Sequence, residues 1–150
     1  MGKDIPYNPK LKRAELELEY PGKVISTAVP PTTAANQHLA GKKHPVTEVV
    51  LDGRGFPIFD DVAVFDTKIS SNEFNSLSYD DQMKFASVDL WNSIKKGEAP
   101  EHKFTKNQIE QIKREAKKID GYTWHHHQDY GRMQLVPALI HNKTDILVEM

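Results

Sequence analysis

The stretch GYTWHHHQDYGRMQLVPALIHNKTD, residues 121–145, places three adjacent histidines after a tryptophan, followed by a turn and a second apolar run. YTWHHH is rich in residues that favour β-strands, and Gly131 can adopt the positive φ that a turn requires. RMQLV is predicted to be the returning strand. Pro137 suits the first position of a helix, and ALIHNKTDILVEM can continue it. The stretch therefore predicts a β-hairpin followed directly by a helix.

The histidines of this stretch could form a metal site. Four of the seven histidines in the chain lie in it. Side chains alternate across a strand, so His125 and His127 share one face and His126 takes the other. One strand imidazole and His141 on the following helix could bind the same metal ion. The strand histidine on the other face would then be free to deprotonate water, because an unperturbed imidazole has a pKa of about 6.5. This combination suits hydrolysis of a phosphodiester.

These residues also have simpler interpretations. Consecutive histidines can lie on an exposed strand edge with incidental metal affinity, and His141 alone could be a surface or capping residue. Trp124 is most simply a core residue whose indole N–H needs a partner. His38, His44 and His102 lie in loop-like sequence that requires no catalytic role. From the residue types alone, an organised metal site and an incidental chelator both stay open.

The composition limits the class of protein. A chain of 150 residues suits one compact domain. It has no cysteine, which excludes disulfides and thiolate metal sites. No apolar run reaches the length of about 18 residues that predicts a membrane span. The first residues, MGKDIPYNPK, lack the apolar segment of a secretory signal. We therefore expect no membrane span. We also expect that any export uses a route other than a secretory signal, or that the chain is exported attached to a larger protein.

The charge is small in total but unevenly distributed. The formal net charge is −1, which does not indicate a polycation that binds nucleic acid through its overall charge. Residues 48–89 carry nine acidic and three basic side chains, whereas residues 95–118 carry eight basic and four acidic ones. The basic stretch is either a solvated helix face or a surface that steers an anionic ligand.

The first half of the chain is predicted to be mostly irregular. Prolines interrupt nearly every candidate element of residues 1–47, apart from a short strand at Glu15–Tyr20 and a helical turn near Ala34–Leu39. EVVLD and FPIFD flank the glycine-rich GRG and are predicted to be two strands, the second at an edge because of its proline. VAVFDTKI is a further candidate strand.

Two helices are predicted in the second half. The first covers residues 78–96, with Ser78 as its N-cap and Gly97 at its end. The second begins at Thr105, which has capping-box spacing with Gln108, and is predicted to stop at Gly121. Each has an apolar stripe at helical spacing: Met83, Ala86, Leu90, Trp91 and Ile94 in the first, and Ile109, Ile112, Ala116 and Ile119 in the second.

The quoted stretch resembles the HNH/endonuclease VII superfamily, specifically the branch marked by a conserved Trp-His-His motif. That branch is typical of C-terminal toxin domains of bacterial polymorphic toxins. ANQHLAGKKHPVTEVVLDGRGFPIF is similar to the segment that precedes the motif in such toxins, so the resemblance covers roughly residues 35–145 in two blocks. It implies an α+β fold in which an irregular N-terminal half with short strands and two helices precedes a ββα-metal motif at residues 121–146. The expected organisation is an irregular segment over 1–34 and a nuclease toxin domain over 35–150.

The resemblance also implies roles for individual residues. His125 would be the metal ligand on the strand, His126 the general base and His141 the metal ligand on the helix. Gln134 stands where related motifs have an asparagine that ties the hairpin loop together, and it could do this or hold substrate. Arg132 is a candidate phosphate contact. His127 occupies a position that varies in the family.

The sequence departs from the family pattern near its end. Members usually continue with a second helix histidine and a Gly-Gly pair, but Ile146 stands at the histidine position here. Asp145 lies four residues after His141, which is the helical spacing for a substitute ligand. Either Asp145 completes the metal site or the site is incomplete.

The resemblance implies a metal-dependent endonuclease that acts as an antibacterial toxin. Its cofactor would be one divalent ion (Zn, Mg, Mn or Ni), its substrate nucleic acid with DNA favoured over RNA, and its partner a cognate immunity protein. It would be secreted or delivered into a target bacterium by a specialised system and act in the cytoplasm there. Two alternatives stay open: an impaired nuclease-like domain that binds nucleic acid or an immunity partner without cleavage, and a simple metal-binding domain.

Overall fold

The computed structural model describes residues 36–52, 55–127 and 131–145. The predicted strand at Glu15–Tyr20, the segment 1–34 and Ile146 lie outside these residues. The chain forms two compact units. Residues Ala63–Ala138 make up the first, here called the sheet unit, and residues Met1–Val62 with Leu139–Met150 the second, here called the two-segment unit. Among the described residues, no helix is long and apolar enough to cross a membrane.

A three-stranded antiparallel sheet forms the sheet unit. It consists of β3 (Phe65–Lys68), β4 (Tyr122–His126) and β5 (Arg132–Pro137), with β5 in the middle. Trp124 lies opposite Leu135 in the β4–β5 pair, and Leu135 lies opposite Phe65 in the β5–β3 pair. The three strands predicted from VAVFDTKI, YTWHHH and RMQLV are therefore confirmed, although β3 is distant in sequence from the other two.

Three helices belong to the same unit: α1 (Ser71–Ser76), α2 (Tyr79–Lys95) and α3 (Lys106–Lys113), with a 3₁₀ turn at Glu101–Lys103. Ser78 caps α2 by accepting a hydrogen bond from the Asp81 N–H, as predicted. The capping box of Thr105 and Gln108 at the start of α3 is also confirmed. Helix α1 had no counterpart in the sequence analysis, because it is a single short segment with only one buried residue, Phe74.

One face of the sheet, called the core face, packs against these helices. Trp124 is its central residue. The indole N–H donates to Ser87 Oγ on α2 at 2.9 Å, and that hydroxyl donates to the Ala116 carbonyl at 2.6 Å. The hydrogen-bond partner that a buried tryptophan requires is thus supplied by the helix that covers it. The core also contains Ile69, Phe74, Ala86, Leu90, Ile94, Ala99, Phe104, Ile112, Ile119, Met133 and Leu135.

The predicted extent of the second helix was wrong. Helix α3 ends at Lys113, well before Gly121. Glu115 adopts a φ of 61°, a left-handed conformation that a helix cannot continue through. The chain still buries the last apolar residue of the predicted stripe, Ile119, without helical geometry. Apolar spacing therefore identified the buried residues Ile112 and Ile119 correctly, but not the conformation that buries Ile119.

The two-segment unit contains a short antiparallel pair, β1 (Val50–Leu51) with β2 (Pro57–Ile58), a 3₁₀ turn at Gln37–Leu39, and most of α4 (Ala138–Asp145). The two strands predicted from EVVLD and FPIFD, and the turn predicted near Leu39, are therefore confirmed. Thr144 on α4 joins the two sequence segments of the unit. Its carbonyl accepts from the Asn36 amide at 3.1 Å. Its hydroxyl donates to the Ile140 carbonyl at 2.7 Å and accepts from the Thr47 hydroxyl at 2.8 Å.

The α+β class is confirmed, with four α-helices and two small antiparallel sheets among the described residues. Pro137 was predicted to open the last helix, but it is the final residue of β5 and the helix begins at Ala138. The Ala138 N–H donates to the Gly121 carbonyl at 3.0 Å, which keeps the end of β5 beside the start of β4. The ββα-metal arrangement stays a prediction.

Gly131 is expected to be essential for the fold. Its φ is 84°, and a Cβ there would lie 2.4 Å from the Ile69 carbonyl oxygen, which is backbone and cannot swing away. Gly131→Ala should lower the free energy of unfolding by about 3 kcal/mol, measured by urea unfolding. Gly97→Ala is the control, because Gly97 has a φ of 74° but nothing within 4 Å of the added Cβ. It should cost about 1 kcal/mol. Equal losses would contradict the steric explanation.

Stability is expected to fall in acid because of His44. His44 is 2% exposed, and its Nδ1 accepts from the Val46 and Thr47 N–H groups at 3.1 and 3.2 Å. Burial lowers the pKa of His44 below its ordinary value of 6.5. The unfolded chain therefore binds the proton more readily, and stability present above pH 6.5 is lost as the pH falls through the folded pKa. His44→Asn, whose Oδ1 can replace Nδ1 as acceptor, should flatten this decline in urea unfolding. An unchanged decline would exclude His44 as its source.

Candidate active site on the polar face of the sheet

The face of the sheet opposite the core carries a cluster of polar side chains, called here the polar face. The strand register places Asp66, Gln134 and His125 in one row across the sheet, because Asp66 pairs with Gln134 and Gln134 with His125. Lys68 pairs with Arg132 in the next row. His127 follows directly after β4, and its N–H donates to the Arg132 carbonyl at 3.0 Å. Three of the six predicted site residues, His125, Arg132 and Gln134, therefore lie together.

Asp66 is the main hydrogen-bond acceptor of the polar face. Arg132 Nε donates to its two carboxylate oxygens at 2.9 and 3.1 Å, and Arg132 Nη2 donates to Oδ2 as well. Gln134 Nε2 donates to the same carboxylate at 3.0 Å. The Arg132 side chain is 5% exposed and that of Asp66 39% exposed. A guanidinium buried to this extent requires such an anion beside it, since an uncompensated buried charge is strongly unfavourable.

Arg132 also fixes the imidazole of His127. Its Nη1 lies 3.3 Å from His127 Nε2, and a guanidinium can only donate, so Nε2 is the acceptor. The neutral ring then carries its proton on Nδ1. The ring of His127 lies edge-on to that of His125, with 6.2 Å between centroids. His127 is therefore the imidazole that lies beside His125, the proposed strand ligand, on the polar face.

His126 lies on the core face, as strand alternation predicts. Gln82 donates through Nε2 to the Phe74 and Leu77 carbonyls, which leaves its Oε1 to accept from His126 Nε2 at 3.0 Å. Tyr79 stacks on the ring at 4.0 Å between centroids. Nδ1 of His126 is buried and has no hydrogen-bond partner among the described residues. Burial lowers the pKa of His126 to about 4, so the ring is neutral at pH 7.

The two helix residues predicted to bind metal lie in the two-segment unit. His141 Nδ1 is 3.3 Å from Asp145 Oδ2, so the i, i+4 spacing on α4 does bring the two side chains together. The His141 ring stacks on Phe59, with 5.2 Å between centroids. Burial raises the pKa of Asp145, and the charge of His141 acts in the opposite direction.

The predicted donor set fits a divalent metal in its chemistry. Two imidazoles and one carboxylate are ligands that Zn²⁺ and Ni²⁺ accept in proteins. Taken separately, neither unit brings three or more histidine or acidic side chains together into a metal-binding group among its described residues. His125 belongs to the sheet unit, whereas His141 and Asp145 belong to the two-segment unit.

Nothing in the sequence marks Asp66 or Gln82 as a site residue. Asp66 lies 66 residues before Arg132, and Gln82 lies 44 residues before His126, so no local motif connects either residue to its partner. The sequence did predict the face of His127, because strand alternation places it on the same face as His125. The contact with Arg132 required the register of β5.

The fold and the polar face are those of a small α+β domain with imidazole, guanidinium and amide groups gathered on one side of a sheet. Residues 49–146, more than half of the chain, match the family model described as the DNase/tRNase domain of colicin-like bacteriocin. The chain belongs to this family, and the expectation of a nuclease toxin domain is confirmed at that level. Neither a curated protein nor a solved structure matches the chain.

The pairing of Asp66 with Arg132 is expected to stabilise the fold. Asp66→Asn removes the negative charge beside a buried guanidinium and should lower the free energy of unfolding by about 2 kcal/mol. Asp80→Asn is the matched control, because Asp80 pairs with Lys117 at 3.0 Å but both side chains are more than half exposed. That change should cost less than about 1 kcal/mol. Urea unfolding of both variants checks this, and equal costs would contradict it.

Proposed function

We propose that this chain is a metal-dependent endonuclease that hydrolyses phosphodiester bonds, with DNA the favoured substrate. The observation that carries the proposal is the row of Asp66, Gln134 and His125 beside Arg132 and His127, in a chain that belongs to a nuclease toxin family. Imidazoles can bind metal or move protons at neutral pH, and a fixed amide can orient a substrate. The family description covers both DNases and tRNases, so RNA is tested beside DNA.

The proposed metal ligands are His125, His141 and Asp145, as the resemblance assigns them. The contact between His141 and Asp145 supports pairing these two on α4. A bound divalent ion would neutralise charge on the phosphate and on the leaving oxygen. The side chains of the chain hold the ion and orient the substrate, and a neutral imidazole on β4 accepts the proton of the attacking water.

The proposed general base is His126, again by the resemblance. Its low pKa supports the role in one respect, because the ring is uncharged at neutral pH. Its Nδ1 is the atom with the free lone pair, since Nε2 donates to Gln82. As Nδ1 is buried, this role requires the side chains around the ring to move when substrate binds. His127, on the same face as His125, is the second imidazole that the experiment must examine.

We further propose that the domain acts as an antibacterial toxin and is neutralised by a cognate immunity protein. Membership of a bacteriocin family supports secretion or delivery into a target bacterium, where the nucleic acid lies in the cytoplasm. The proposed toxin domain covers residues 35–150, with 1–34 as a separate segment. The basic stretch over residues 95–118 supports binding of either a polyanion or an acidic partner.

A second candidate function follows from Ile146. The family pattern expects a histidine there, and a site with fewer ligands binds metal more weakly. The chain would then bind nucleic acid or an immunity partner without cutting. A single substitution, Ile146→His, separates this candidate from the first.

Cleavage is expected to require a divalent metal, the proposed base His126 and the proposed helix ligand His141. Purified protein is incubated with plasmid and with total RNA in the presence of Mg²⁺, Mn²⁺, Zn²⁺ or Ni²⁺, and with chelator as control. His126→Ala should lower the cleavage rate about 10²–10⁴-fold while metal affinity, measured by titration calorimetry, is largely kept. His141→Ala should instead weaken metal affinity.

The same assay separates the alternatives. If His127→Ala abolishes cleavage and His126→Ala does not, the base is His127. If only Ile146→His cuts, the chain is the non-cleaving form. If neither the wild type nor Ile146→His cuts any substrate, the nuclease proposal is wrong.

A further inference from the structure

Among the described residues, the polar face carries two basic side chains, Arg132 and Lys68, and they differ in their exposure to solvent. Lys68 on β3 lies directly opposite Arg132 on β5. Arg132 is 4% exposed, whereas Lys68 is exposed. The sheet order makes β3 an edge strand, so Lys68 stands at the accessible border of the face and Arg132 in its interior.

Three of the five N–H groups of Arg132 donate to other residues of the sheet unit. Its Nε and Nη2 donate to Asp66, and its Nη1 donates to His127 Nε2. A phosphate oxygen could accept from the same N–H groups only by displacing the Asp66 carboxylate, which already provides bidentate geometry. The role of phosphate contact, expected for Arg132 from the sequence, is therefore poorly matched to its position.

Lys68 has the properties that such a contact needs. An ammonium is a compact charge with three donors on a flexible stem, and it can follow a mobile backbone phosphate. No salt bridge to Lys68 is found among residues 36–52, 55–127 and 131–145. Asp66 lies two residues earlier on the same face, but the Arg132 guanidinium offsets its charge. Arg132 and Lys68 together carry one more positive charge than Asp66 carries negative charge, and the excess lies with Lys68 at the exposed border of the face.

We propose that Lys68 is a substrate-binding residue of this domain and contacts a backbone phosphate of the nucleic acid at the β3 edge of the polar face. Asp66 then has two effects, since it holds Arg132 inside the sheet and leaves Lys68 as the cation that solvent and ligand can reach. The inference rests on the proposed function for the nature of the ligand, and it does not depend on the metal or on which histidine is the base.

The test measures binding without cleavage. Protein in EDTA is titrated with a short labelled DNA duplex and with a single-stranded RNA at several NaCl concentrations, and log K is plotted against log [NaCl]. Each lost phosphate contact lowers the magnitude of the slope by about 0.9 for duplex DNA and about 0.7 for a single strand. Lys68→Gln should lose about this amount on the preferred ligand, and Lys68→Arg should retain the wild-type slope.

Lys84→Gln is the matched control. Lys84 is also an exposed lysine of the sheet unit, but it lies on α2, the helix that packs against the core face. Its slope should equal that of the wild type. Equal slopes for Lys68→Gln and the wild type, or equal losses in the Lys68 and Lys84 variants, overturn the inference, as does a wild type that binds neither ligand. A wild type that binds with the predicted Lys68 dependence but never cuts with metal present would contradict the nuclease proposal and leave this inference standing.

Discussion

The side chain of Arg132 is 5% exposed, so its guanidinium must find hydrogen-bond acceptors inside the protein, and it finds them on Asp66 and His127. This requirement organises the polar face. The carboxylate that compensates Arg132 also accepts from Gln134, so one anion on β3 fixes two side chains of β5. The antiparallel register of β3 and β5 is what brings Asp66 into reach, which couples the arrangement of the site to the pairing of the sheet.

A second constraint concerns β4, because its two faces lie in different environments. Along β4, Trp124 and His126 point towards α2, while His125 points to the polar face. The three consecutive histidines are therefore not equivalent. One imidazole is bonded to Gln82 beneath Tyr79, and the others lie near Arg132 and Gln134. Chemical differences between adjacent identical residues follow from the alternation of side chains across a strand.

Membership of a bacteriocin nuclease family gives these geometric facts a functional context. The family assigns the kind of activity, while the individual roles of His125, His126, His141 and Asp145 stay predictions. The contact of His141 with Asp145 agrees with the spacing argument made from the sequence, because residues four apart on a helix lie on one face. The burial of Arg132 bears on its expected phosphate role, because a side chain can bind a ligand only with groups that the fold leaves available.

The spacing of residues along the chain was sufficient to predict the α+β class, the caps of two helices, the strands around the histidine run and the distribution of its side chains between two faces. These features depend on residues a few positions apart, whose spacing is visible along the chain. Tertiary structure alone decided that α3 stops at Lys113, that Gln82 bonds to His126 and that Asp66 compensates Arg132. Such contacts join residues dozens of positions apart, and only the register of the strands and the packing of helices on the sheet bring them within hydrogen-bonding distance.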